Sequence, residues 1–100
     1  MKSITDKAEV SVDFPDKAYM GAFGRESSFD VKVEDDEVLL RILRPGQERR
    51  EFGVHLHYFL LADILKEIGQ GLAKTVVLDE AHLASLREGV DALTRALKKK

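Results

Sequence analysis

A strand-rich first half and a helical second half predict an α+β fold for this 100-residue chain. Three observations carry that expectation. Apolar and polar residues alternate with period two up to residue 56, and apolar spacings of three and four take over from Tyr58. Turn-forming pairs, Pro15-Asp16, Asp35-Asp36 and Pro45-Gly46, fall between the alternating runs. The expected architecture is an antiparallel meander of about five strands followed by two α-helices, with a candidate short sixth strand before the last helix.

Val10, Val12 and Phe14 alternate with Glu9, Ser11 and Asp13, which predicts a first strand over 9–14. A second strand over 18–23 places Tyr19 and Phe23 on one side and Met20 on the other, with Gly21 weakening it. Phe29, Val31 and Val33 alternate with Asp30, Lys32 and Glu34, and Asp35-Asp36 closes a hairpin into a fourth strand over 37–44. Arg44-Pro45-Gly46-Gln47 suits a type II turn, because Pro presets φ at the second position and Gly supplies positive φ at the third. Phe52, Val54 and Leu56 then resume the alternation in a fifth strand over 49–56. On the fourth strand Val38, Leu40 and Ile42 share one face, while Leu39 and Leu43 flank Arg41 on the other. Apolar residues on both faces predict either a central strand covered on both sides or one that exposes a binding patch.

Leu60, Leu61, Ile64, Leu65, Ile68 and Leu72 recur at helical spacings, and Gly69 and Gly71 offer a stop, so a first helix is expected over 58–69. Its opening turns, from Tyr58 to Leu65, leave almost no polar stripe. Lys74 to Leu78 is β-prone and is the candidate sixth strand. Asp79 is a good N-cap for a second helix reaching about Lys98, along which Leu83, Leu86, Val90, Leu93 and Leu97 form a narrow apolar seam. A faint similarity at an offset of 22 aligns Leu56 with Leu78, Leu61 with Leu83 and Ala62 with Ala84, which shared amphipathic patterning explains without duplication.

The length and the 44% apolar, 34% charged composition suit one self-sufficient domain over 1–100, with residues 1–7 as a flexible tail. The absence of cysteine excludes disulfides, thiolate metal sites and a cysteine nucleophile, and suits a reducing, cytoplasmic setting. The charged start, Met1-Lys2-Ser3-Ile4-Thr5-Asp6-Lys7, lacks the apolar core of a signal peptide, and no apolar run reaches membrane-spanning length. A net charge of -2 gives no global attraction to phosphate backbones. Lys98-Lys99-Lys100 reads as a helix terminus that complements its own dipole.

Two motifs invite chemical readings. Val76-Val77-Leu78-Asp79-Glu80-Ala81-His82 resembles the apolar strand and acidic box of DEAH-type helicases, a likeness that implies Mg²⁺ and water handled by Asp79 and Glu80. That chemistry needs a phosphate-cradling G-x-x-x-x-G-K-[ST] well upstream. Gly69-Gln70-Gly71-Leu72-Ala73-Lys74-Thr75 has Ala73 where the second Gly belongs and lies directly before the box, so helix capping accounts for the same residues. His55 and His57 share a strand face at a spacing that metal sites use, with His82 or Asp63 as the candidate third ligand. Two histidines at a strand end need no metal, and no metal or other cofactor is expected.

A curved antiparallel sheet followed by an amphipathic helix resembles the PUR and Whirly single-strand nucleic-acid binders over strands three to five and the first helix. The likeness rests on element order and implies a groove lined by Arg25, Lys32, Arg41 and Arg49, with Tyr19 or Phe23 stacking a base. Asp30, Glu34 and Glu51 on the same surface favour an ordinary mixed-charge face instead. The expectation is therefore a non-catalytic binding or protein-interaction module, with Leu39, Arg41 and Leu43 as its contact residues and a second copy or another protein as its partner. Single-stranded nucleic-acid binding is the first alternative, and a metal-dependent enzyme the second.

Overall fold

A computed structural model describes residues 1–75 and 77–100 of the chain. Among these residues six strands precede two helices: β1 (Lys2–Ser3), β2 (Ala8–Phe14), β3 (Lys17–Phe23), β4 (Ser28–Val33), β5 (Glu37–Arg44), β6 (Arg50–His57), α1 (Tyr58–Thr75) and α2 (Glu80–Lys98). The α+β class and the antiparallel pairing read from the sequence are those observed. The chain divides into two compact units, Met1–Ile64 and Leu65–Lys100, so the boundary falls inside α1.

In the first unit the strands form a four-stranded sheet of order β1-β4-β5-β6 and a separate β2-β3 hairpin. A simple meander would pair β3 with β4. Here the outer neighbour of β4 is β1, with Lys2 opposite Phe29 and Ser3 opposite Ser28, so part of the expected N-terminal tail is a strand. The Ile4 amide donates to the Ser27 carbonyl at 3.0 Å and extends this contact. Two residues carry no readable alternation, which is why β1 leaves no trace in the sequence.

The other strands follow their turn chemistry. Phe14 lies opposite Lys17 across Pro15-Asp16, and Val33 lies opposite Val38 across Asp35-Asp36, where the Glu34 amide donates to the Glu37 carbonyl at 2.8 Å. Gly46 takes φ 108°, as the turn after Pro45 requires, and among the described residues it is the one with positive φ. Phe23, 3% exposed, and Ile42 are the buried apolar residues among those described, and both belong to the first unit.

The second unit departs from expectation at the end of α1. Gly69 and Gly71 do not stop the helix, which continues to Thr75. A terminating glycine acts by adopting a left-handed conformation, and neither of these does. A glycine in a right-handed turn only weakens the helix, by about 1 kcal/mol relative to Ala. Of the candidate sixth strand, Lys74 and Thr75 belong to α1, Val76 lies outside the described residues, and Val77 and Leu78 belong to no strand. α2 starts at its predicted cap, and none of its residues is buried.

These backbones set opposite expectations for two glycines. A Cβ built on Gly89, inside α2, meets no described atom within 4 Å, so Gly89→Ala should stabilise the protein by about 0.5–1 kcal/mol. Gly46→Ala also has room but forces an L residue to φ 108°, and it should destabilise. Urea midpoints of the two variants, measured against the unsubstituted chain, check both signs.

Candidate functional site

Register divides the four-stranded sheet into two chemically distinct faces. The rows Val33-Val38-Leu56, Val31-Leu40-Val54 and Phe29-Ile42-Phe52 make one face apolar. The rows Lys32-Leu39-His55, Asp30-Arg41-Gly53 and Ser28-Leu43-Glu51 make the other polar, with Glu37 opposite His57 at its end. The expected contact residues Leu39, Arg41 and Leu43 therefore do share one face of β5, and all three are half-buried.

Arg41 is engaged within its own sheet. Its Nε donates to Asp30 Oδ1 at 3.1 Å and its Nη2 to Asp30 Oδ2 at 2.7 Å, a bidentate fork across the β4–β5 pair. Its Nη1 lies 3.7 Å from Glu51 Oε1, and Glu51 Oε2 accepts from Arg49 Nη2 at 3.2 Å. Charge thus alternates along Asp30, Arg41, Glu51 and Arg49 over three strands. Gly53 lies opposite Arg41, and a Cβ there would meet Arg41 Cγ at 3.9 Å, an ordinary van der Waals contact. The hydrogen bonds from Arg41 hold the Asp30 carboxyl below its ordinary value of 3.8, outweighing desolvation, and the same bonds raise Arg41.

Within the first unit His55 and His57 meet Glu37 and not the candidate third ligand Asp63. His55 Nδ1 is 3.0 Å from Glu37 Oε1 and His57 Nε2 is 3.4 Å from Oε2, so one carboxylate spans both rings. The signal was present in the register, since the Asp35-Asp36 and Pro45-Gly46 turns together bring Glu37 opposite His57. Among the described residues, no group of three or more His, Cys, Asp or Glu side chains is arranged to hold a metal ion.

The residues proposed to line a nucleic-acid groove are dispersed or committed. Phe23 is buried and cannot stack a base. Lys32 pairs with Glu34 at 3.2 Å, and Arg41 and Arg49 belong to the charge row above. Tyr19 is exposed on the hairpin, edge-on to Phe14 at 6.0 Å between ring centroids, with Lys17 Nζ 5.6 Å from the Tyr19 ring and 5.9 Å from that of Phe14. An open cleft beside this hairpin is lined by Val10, Val12, Tyr19, Phe23, Arg50 and Phe52.

In the second unit the acidic box is a helix cap. Asp79 is in extended conformation, with Oδ1 accepting from the His82 amide at 2.8 Å and Oδ2 lying 2.9 Å from His82 Nδ1. The backbone bond from His82, reinforced by its ring, keeps the Asp79 carboxyl below 3.8. Glu80 occupies the first turn, where a negative charge complements the helix dipole. Among the described residues no strand directly precedes the box, since Val77 and Leu78 are outside any strand.

No family model, no curated protein and no solved structure matches the chain. Among the described residues no helix is long and apolar enough to cross a membrane.

Two titrations follow from the carboxylates. Arg41→Met should return the Asp30 carboxyl toward 3.8, read by carboxyl carbon NMR shifts, whereas an unchanged Asp30 would show that Arg41 does not set it. The Asp79 value is depressed on folding, so its contribution to stability is complete above 3.8 and is lost as pH falls through the folded value. Asp79→Asn keeps a capping oxygen without that titration, and the loss of helicity in acid, followed by circular dichroism, should be shallower in that variant.

Proposed function

We propose that the chain is a non-catalytic protein-interaction module that works by covering its own exposed apolar surface with another polypeptide. The observation that carries this reading is the set of large apolar side chains left open to water: Phe59 is 93% exposed, Met20 81% and Val33 70%, on α1, β3 and β4 respectively. Isolated exposed leucines are ordinary on a protein surface. Apolar side chains this open, beside a core that holds few buried residues, point to surfaces built for contact.

The polar sheet face supports the same reading less directly. Leu39 and Leu43 offer half-buried apolar area on either side of Arg41, and a partner there would meet a guanidinium already paired with Asp30 and Glu51. That internal neutralisation argues against a phosphate backbone as the partner, because nucleic-acid affinity depends on free Lys and Arg charge. The cysteine-free sequence suits a reducing, cytoplasmic place of work.

Two measurements test the reading. If the open side chains serve a partner and not the chain's own fold, a Met20→Ser, Phe59→Ser variant should keep its stability within about 0.5 kcal/mol, as surface substitutions do. A loss of several kcal/mol would place those residues in the protein's own core and remove the basis of the proposal. Labelled single-stranded oligonucleotides titrated at two salt concentrations should show no saturable binding. Tight binding that weakens steeply with salt would overturn the interaction module in favour of a nucleic-acid binder.

A further inference from the structure

We propose that α2 pairs antiparallel with α2 of a second copy of this chain, which makes the protein a homodimer joined by a two-helix coil. This deepens the interaction-module reading and rests on it. The first ground is the shape of the apolar stripe. Leu83, Leu86, Val90, Leu93 and Leu97 step by three, four, three and four, which is the two-per-heptad seam of a coiled coil. A helix that lies on a sheet or in a mixed core carries a wider apolar face. A seam this narrow is complementary to another helix with a similarly narrow seam.

The second ground is that the seam is open. No residue of α2 is buried, and Val90 and Leu97 are 58% and 63% exposed. A lone helix of this length has little stability in water without packing. At its N-terminal end the seam borders an open apolar cleft, lined by Leu72, Leu78, Leu83, Leu86 and Val90. One flank begins at His82 and is then made of small residues, Ser85, Gly89, Ala92 and Ala96, each directly preceding a seam residue, and this lets a second backbone approach closely. The other flank begins at Ala84 and is polar from there on, with Arg87, Asp91, Thr94 and Lys98.

The third ground names the occupant and its direction. Charge along the helix is polarised: Asp79, Glu80 and Glu88 outnumber Arg87 before Val90, and Arg95, Lys98, Lys99 and Lys100 outnumber Asp91 after it. A parallel pair would stack the basic ends together. An antiparallel pair sets the basic end of each copy beside the acidic start of the other, and it opposes the two helix dipoles favourably. A second copy of the chain therefore carries both the matching seam and the matching charge.

Sedimentation equilibrium over a wide concentration range should show reversible association to twice the chain mass. Val90→Glu, Leu93→Glu should raise the dissociation constant about tenfold or more, and helix content should fall as the dimer separates, because α2 loses the packing that supports it. Orientation is read with a spin label on Lys98→Cys, a clean site because the chain has no cysteine. With a helical rise of 1.5 Å per residue, antiparallel pairing puts the two labels on the order of 20 Å apart or more. Parallel pairing puts them roughly one interhelix distance apart, about 10 Å. Short label distances, or dimerisation unaffected by the seam substitutions, would overturn the proposal. A wild-type chain that stays monomeric at high concentration would overturn it as well, while leaving a different protein partner open to the interaction-module reading.

Discussion

The sheet depends on the register of β5, the one strand of the four-stranded sheet hydrogen-bonded along its length on both sides. Side chains alternate with a period of two, so a slip of one residue on β5 would send Val38, Leu40 and Ile42 to the face that now holds Glu37, Leu39, Arg41 and Leu43. The Arg41 fork then works as a second check on the same register. Asp30 and Glu51 lie on the neighbouring strands within reach of one guanidinium in the observed alignment. The apolar rows that surround the buried Ile42 and the charged row on the other face follow from this one alignment.

Much of this was legible in the residues. The hairpin from β4 to β5 and the turn into β6 are encoded locally, by Asp35-Asp36 and by Pro45-Gly46, and the structure places both where those residues point. The capping role of Asp79 was equally local, because an N-cap is recognised within three residues of itself. What was hidden is long-range. β1 is specified by the edge that β4 offers and not by any pattern of its own, and Glu37 joins His55 and His57 only once two turns have been closed. The end of α1 was misplaced for a further reason. Glycine marks a helix end through a backbone conformation that composition does not reveal.

The candidate site shows the same division. The sequence put Leu39, Arg41 and Leu43 on one face of one strand, and they are there, but it did not show that Arg41 is held by carboxylates on both sides. An arginine between two leucines reads as an anchor for a partner until its cross-strand neighbours are known. The more open apolar surface lies elsewhere, on Phe59, Met20 and Val33, and single-residue hydropathy cannot separate these from residues that the fold covers.

The strand edges have a consequence for how another polypeptide would meet the proposed interaction module. β6 borders the sheet, and both strands of the β2–β3 hairpin have a free side, so each presents backbone amides and carbonyls to which a foreign strand could bond. Two of these strands also carry charge along their length, with Glu9 and Asp13 on β2 and Arg50 and Glu51 with His55 and His57 on β6, while β3 has Lys17 at its start. Charged side chains beside an open edge must give up water when another strand docks, and this discourages the indiscriminate stacking that leads to fibrils. In the proposed interaction module, contact is thereby biased toward side-chain surfaces, where shape and chemistry can select a partner, and away from the backbone, which every polypeptide shares.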